Sequence, residues 1–375
     1  MKRTVRVAAL ALTFSALAIP SLAARASGLR ETRPTGVQAV SLAAQKVLND
    51  SNFPAAFTFG PQGGLFFADR FSGEIRLKLT VSSSRLVFTV TNLSTDGEQG
   101  LLGIALDPNY PTSPYLYAYA TRNDGGLVNE ILKITISSGV GTGSTVIWTS
   151  QTTAGTYHDG GRILFGPDGK LYAQVGEAHD SSNAQDLSTD AGKILRMNSN
   201  GNAPGDNPLG GRIFTRGMRN GFGFAFDPVK HLLWETENGP ECNDELNQFD
   251  NGDNGAWGPN ENCSGTSPND TNNSGPKPWT FPKRWFTPTI APTGAVFCPA
   301  GGCGLPGHAG HLFFGSWNDA KIREVRFTAN RLGVLAGWPK IALNRSDGIL
   351  SMERNPVNGH LYFSDQNGIY ELVPA

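Results

Sequence analysis

One signature recurs along this chain and restricts its fold more than any other feature. An alternating apolar strand leads into a turn carrying Asp, Pro or Gly, and a second apolar strand rich in aromatic residues follows. The copies read FTFGPQGGLFFADR, GIALDPNYPTSPYLYAYAT, ILFGPDGKLYAQVGE, FAFDPVKHLLWETENG, GHLFFGSWNDAKIREVRF and ILSMERNPVNGHLYFSD, about 40 to 85 residues apart. Pro167 to Gly169 supplies the fixed and positive φ values that a tight hairpin needs, and Lys170 to Val175 reads as a buried strand. Six copies predict an all-β chain folded as a six-bladed β-propeller, one strand-turn-strand unit per blade, with loop insertions between them. A jelly roll or sandwich would fit a sixfold signature less well.

Composition agrees. Among 375 residues there are 46 Gly and 24 Pro, and few windows show helical periodicity. No Pro/Ser-rich or charged linker divides the chain, so residues 55–375 read as a single propeller preceded by a lead-in over 27–54. With a net charge of -1 and no basic stripe, nucleic acid and anionic membrane surfaces are poorly supported as partners. Lys2, Arg3 and Arg6, the apolar run Val7 to Ile19 and Ser21-Leu22-Ala23 form a signal peptide pattern over residues 1–26, with cleavage after Ala23 or Ala26. The expectation is a secreted or periplasmic protein without membrane insertion. In an oxidising compartment Cys242, Cys263, Cys298 and Cys303 read as disulfide cysteines. Four cysteines allow three connectivities, of which nearest-neighbour pairing is the simplest.

The richest chemistry lies between Tyr157 and Asn247. His158 stands beside Gly-Gly-Arg, where little bulk crowds it, and an imidazole is a ready general base near neutral pH. Arg219 and Asn220 lie between Gly217 and Gly221, where a planar ligand could approach a guanidinium. Arg162 directly follows the Gly-Gly turn and reads as structural at least as readily as catalytic. Gly239-Pro240 offers backbone carbonyls, the hard oxygens that suit calcium.

These motifs resemble the glucose/sorbosone dehydrogenase family, soluble sugar dehydrogenases that use pyrroloquinoline quinone (PQQ) and calcium on a six-bladed propeller. The resemblance rests on HDGGRILFGPDG, AQDL...GKILR, GMRNGFG and ENGP...DELN in that order, extended by EQGLLGIALDPNYP and TPTIAPTG. It implies oxidation of an aldose at the anomeric carbon to a lactone, with electrons passed to an external acceptor. His158 would remove the anomeric hydroxyl proton, Arg219 and Asn220 would contact PQQ, the Gly239 and Pro240 carbonyls would hold the calcium, and Glu245 would serve a second, structural calcium. Glu98 stands where the family tends to place Gln, Arg345 is the one arginine where it often has two, and a Tyr ligand is missing from NGAWGP. Both Glu98 and Arg345 are expected at the cofactor. The alternatives are a calcium-stabilised binding propeller without turnover, favoured by those departures, and a lactonase-type hydrolase with a metal cage drawn from Asp159, Asn220 and Glu237.

Three further features carry less. Asp250 to Glu261 partly mimics an EF-hand loop but has Gly at its third position. His308 and His311 form an HxxH pair without an evident third ligand and read as a solvated loop. Trp257, Trp279, Trp285 and Trp317 fall in C-terminal loops, where blade packing is the commoner role.

Overall fold

The computed structural model describes residues 39–258, 263 and 276–375. The signal peptide pattern lies outside them, as does Glu261 of the EF-hand-like run. Every sheet described has four antiparallel strands, and there are six. Blade 1 is Pro54–Phe59, Leu65–Asp69, Glu74–Thr80 and Ser83–Thr89. Blade 2 is Leu101–Leu106, Tyr115–Asn123, Leu127–Ser137 and Val140–Thr149, and blade 3 is Ile163–Phe165, Leu171–Val175, Lys193–Met197 and Ile213–Arg216. Blade 4 is Gly221–Phe226, Leu233–Glu237, Asp244–Phe249 and Arg284–Phe286, and blade 5 is Pro292–Phe297, Leu312–Ser316, Lys321–Val325 and Lys340–Asn344. Blade 6 joins Met352–Arg354, Leu361–Asp365 and Gly368–Pro374 to Leu42–Asn49.

The apolar strands explain the ring. Successive side chains of a strand point to opposite faces, so a strand apolar on both faces must be covered on both. In Leu65–Asp69, Phe66 and Ala68 pack into a cluster shared with blade 2, while Leu65 and Phe67 pack into one shared with blade 6. The same arrangement repeats around the molecule, each apolar cluster filling the gap between two neighbouring blades. First strands pack against first strands except between blades 3 and 4, where Leu171–Val175 meets Gly221–Phe226, and that of blade 6 meets that of blade 1, which closes the ring.

Five of the six recurrences are the hairpins between first and second strands. The copy beginning at Gly310 instead covers the second and third strands of blade 5, because residues 298–311 form a long loop where the other blades have a short turn. Two other expectations change. Leu42–Asn49, assigned to the lead-in, is the outer strand of blade 6, paired from Leu42 with Pro374 to Asn49 with Gly368. Its sequence carries no turn signal and only weak alternation, so nothing local marks it as a strand. The HxxH loop is not solvated: His308 is buried, and both histidines meet Glu324. The cysteines pair with their nearest neighbours, Cys242 with Cys263 and Cys298 with Cys303.

Candidate active site

A cavity of about 290 Å³ lies on the propeller axis, because its wall draws on every blade or the residues adjoining it: Ala56, Leu102, Arg162, Phe222, Thr293 and Ser351. Arg70, Glu98 and Trp317 complete the rim. Arg162 spans this space, its Nη2 lying 2.7 Å from Glu353 Oε1 on the first strand of blade 6. It both lines the cavity and ties opposite sides of the ring together.

His158 is buried at φ 66° in the glycine-rich loop that enters blade 3. Its Nδ1 is 2.5 Å from Glu177 Oε1, just beyond the end of the next strand of that blade. A carboxylate only accepts, so Nδ1 carries the proton, and in the neutral imidazole Nε2 then presents a lone pair. The approach depends on Gly176, where a Cβ would lie 2.2 Å from the His158 carbonyl oxygen. The backbone completes the brace: Ala178 N–H donates to His158 O at 3.0 Å, and Glu177 N–H to Arg219 O at 2.9 Å.

Glu98 joins this pair to blade 4. Its Oε2 accepts from the His158 backbone N–H at 2.8 Å and from Asn220 Nδ2 at 2.9 Å. Arg219 donates its backbone N–H to Glu237 and its Nη1 to Asn238 O at 2.9 Å, while its guanidinium lies 5.4 Å over the Trp257 ring. Asp159 points the other way, accepting from Asn129 Nδ2 at 2.9 Å. Burial raises its pKa to about 7, against the lowering effect of the Asn129 bond, and the charge of Glu98 adds to the rise.

The Gly239-Pro240 turn is held by Asp244. One carboxylate accepts Gly239 N–H at 2.8 Å, Ile290 N–H at 2.6 Å and Ala291 N–H at 2.7 Å. Glu245 stands opposite Glu237 across the strand pair, with Glu235 opposite Asn247. Asn247 Nδ2 reaches all three acids, at 3.1 Å to Glu235, 3.4 Å to Glu237 and 3.1 Å to Glu245. Burial drives up all three carboxyl pKa values, that of Glu245 to about 7.

The fold thus brings His158, Glu98, Arg219 and Asn220 into one network and sets Gly239, Pro240 and Glu245 on the next turn and strand of blade 4. Arg345 falls elsewhere. It bonds the buried Asp365 at 3.1 Å and stacks on Tyr370; of the predicted site residues, Glu98 is the one that lines the cavity itself. Of the residues named for a hydrolase cage, Asn220 bonds Glu98, Asp159 bonds Asn129, and Glu237 bonds Arg219. Trp317 is the one tryptophan of the four at the cavity, whereas Trp257 is buried beneath Arg219.

The model of the family described as Glucose / Sorbosone dehydrogenase matches residues 51–367. The chain belongs to this family. Over 245 residues it is 31% identical to quinoprotein glucose dehydrogenase B of Acinetobacter calcoaceticus, a match covering 56% of this chain and 51% of that protein. Over 231 residues it is 29% identical to an aldose sugar dehydrogenase of Escherichia coli strain K12, covering 56% of this chain and 61% of the relative. The chain therefore aligns with between half and two thirds of the length of these two relatives. The solved PQQ-bound aldose sugar dehydrogenase of Streptomyces coelicolor superposes with a TM-score of 0.75 at 25% identity, covering 90% of this chain and 99% of that one.

Two residues of this glucose/sorbosone dehydrogenase family member escaped the sequence reading. Glu177 ends the VGE of a quoted motif, and only the fold turns it onto His158. Arg70 closes the first repeat, and its Nε donates to Gln99 O at 3.0 Å beside Glu98. A charged residue closing a buried strand was the available signal for both.

Proposed function

We propose that this protein oxidises an aldose at its anomeric carbon to the lactone, using PQQ held through calcium, and passes the electrons to an external acceptor. The observation that carries the reading is the His158–Glu177 pair joined to Asn220 through Glu98, which lines the axial cavity. The kinship to a quinoprotein and to aldose dehydrogenases supports it. Export is supported by the two disulfides.

The residues fit the cofactor. Leu102, Phe222 and Trp317 offer apolar walls, while Arg70 and Arg162 offer guanidinium groups suited to carboxylates and quinone oxygens. Buried Nε of Arg162 and Arg219 and Oδ1 of Asn220 lack partners, so a polar ligand would satisfy them. The charge of Glu98 is faced by Arg70, which spares an anionic ligand an uncompensated carboxylate. Arg219, Asn220 and Glu98 would position the cofactor, and Arg345, anchored on Asp365, is given no part. The Gly239 and Pro240 carbonyls would ligate its calcium. Glu245, with Glu235 and Glu237 gathered around the Asn247 amide, has the carboxylate oxygens for a second calcium.

When bound, PQQ would accept the hydride of the anomeric carbon as the two-electron oxidant. His158 Nε2 takes the hydroxyl proton, and the O–H electron pair becomes the carbonyl of the lactone. Glu177 holds the imidazole in the tautomer that leaves Nε2 free and stabilises the imidazolium that forms. Glu98 fixes the His158 backbone and Asn220 together, so base and cofactor contact keep one spacing.

The test is titration of calcium-loaded protein with PQQ, then an aldose panel with an electron-accepting dye. Stoichiometric binding and aldose-dependent dye reduction, lost in His158→Ala while binding persists, is the expected result. A folded, calcium-loaded propeller that binds no PQQ overturns the reading.

A further inference from the structure

Blade 5 carries a cluster of ligating side chains far along the chain from the sugar chemistry. The 298–311 loop, tied by the Cys298–Cys303 disulfide, brings His308 and His311 onto Glu324 of the strand Lys321–Val325. His308 Nδ1 lies 2.9 Å from Glu324 Oε1, and His311 Nδ1 contacts the same oxygen. One ligating atom from each of the three residues lies within 4.8 Å of the others. His308 and Glu324 are buried, while His311 is partly exposed.

Counting protons shows what the cluster lacks. His308 Nε2 is 3.1 Å from the carbonyl oxygen of Val40, which can only accept, so Nε2 holds a proton. A neutral His308 then aims the lone pair of Nδ1 at a carboxylate oxygen that has only lone pairs. Something positive must stand between them, either a second proton on His308 or a cation. His311 Nδ1 meets the same oxygen, and in its other tautomer it offers a lone pair as well. A divalent ion answers both, taking two imidazole lone pairs and one carboxylate. The bond from Nε2–H to a backbone carbonyl is the outer contact that metal-bound histidines usually make.

The donor set selects the ion. Two nitrogens and one carboxylate oxygen suit zinc, which accepts three protein ligands and a water, whereas calcium asks for oxygens throughout. Zinc bonds of about 2.0–2.1 Å set tetrahedral neighbours about 3.3 Å apart, so His308 Nδ1 and Glu324 Oε1, 2.9 Å apart, need to part slightly and His311 further to admit the ion. The facing cation is Arg326, with Nε 3.7 Å from Glu324 Oε1. Its guanidinium already stacks 4.5 Å over Trp338, where it can remain when an ion enters.

We propose that His308, His311 and Glu324 bind one Zn²⁺ ion, with water in the fourth position on the His311 side. The ion would fasten the segment before Leu42–Asn49 to blade 5. Both backbone groups of Val40 are held there, its O by His308 and its N–H by Pro306 O at 3.2 Å.

The test uses the whole protein with excess calcium present, so that oxygen sites are occupied. Samples are incubated with zinc chloride and desalted, and retained zinc and the melting temperature are measured. The wild type is expected to retain about one equivalent and to melt several degrees higher with zinc. His311→Ala should bind at least about 10-fold more weakly and show no zinc-dependent shift. Co²⁺ gives a second readout that needs no variant, since a tetrahedral site with imidazole ligands produces an intense visible spectrum. Zinc retained equally by wild type and His311→Ala, or a wild type that retains none and shows no such Co²⁺ spectrum, overturns the site.

Discussion

Glu98 Oε2 accepts one hydrogen bond from the backbone of His158 at 2.8 Å and another from the side chain of Asn220 at 2.9 Å, so one carboxylate couples the proposed base to a proposed cofactor contact. Glu98→Gln keeps an acceptor for both bonds and removes a negative charge from the cavity rim. If the ligand is anionic, its affinity should rise about 3- to 10-fold, or about 1 kcal/mol. PQQ titrations of the two proteins at matched salt measure this, and an unchanged or weaker affinity would show that Arg70 already cancels the charge.

His158→Ala should lower kcat by about 10²–10⁴-fold with PQQ affinity little changed, because it deletes the base and not a cofactor contact. Glu177→Gln should also lower kcat and alter its pH profile, since a glutamine can donate to Nδ1 and so favour the tautomer with Nε2 protonated. Steady-state rates across pH separate the two. A Glu177→Gln enzyme with a wild-type profile would assign Glu177 a purely structural role.

Asp159 gives a stability prediction with a definite sign. Its folded pKa, about 7, lies above the ordinary carboxyl value of 3.8, chiefly because of burial. Between these values the folded state holds a proton that the unfolded state has lost, so stability falls as pH rises from about 4 to about 7 and then levels off. The full shift corresponds to at most about 4 kcal/mol. Asp159→Asn should flatten this part of the curve, measured by denaturant unfolding at several pH values. A mutant curve parallel to the wild type from pH 4 to 7 would exclude Asp159 as the source.

Asp244 accepts three backbone N–H groups, including that of Gly239. Asp244→Ala leaves these donors without an acceptor and should cost about 2–4 kcal/mol of stability. It should also weaken calcium binding at the turn, since the Asp244 carboxylate holds Gly239 directly. Calcium titration of Asp244→Ala at a temperature where it remains folded checks this. Wild-type calcium affinity there would remove the turn from the proposed metal site.

The fold was legible because both faces of nearly every inner strand are apolar, and that pattern survives without knowledge of neighbours. Phe66 and Phe67 read as buried before it is known that they face different blades. Leu42–Asn49 was not legible, since its pairing with the C-terminal strand is set by ring closure and not by local pattern. The site was partly legible. His158, Arg219 and Asn220 stand between glycines that advertise close approach, whereas Glu177 and Arg70 act through distances that only the folded chain defines. Arg345 shows the converse: a charged residue in a promising motif was captured by the buried Asp365. Glu324 lies on a strand, remote from the HxxH motif in any short window, so its partnership with the histidines was invisible.

The pairing of Leu42–Asn49 with Gly368–Pro374 also sets an order of events. The two strands lie far apart along the sequence, so the circle stays open until both exist. Until then blades 1 and 6 each present an uncovered apolar face to whatever is nearby. That interval of exposure grows with the sequence distance between the partners, and such long-range matches are slow to form. A short deletion at either of these two strands would therefore act as a failure to fasten a clasp, loosening blades that contain no mutated residue.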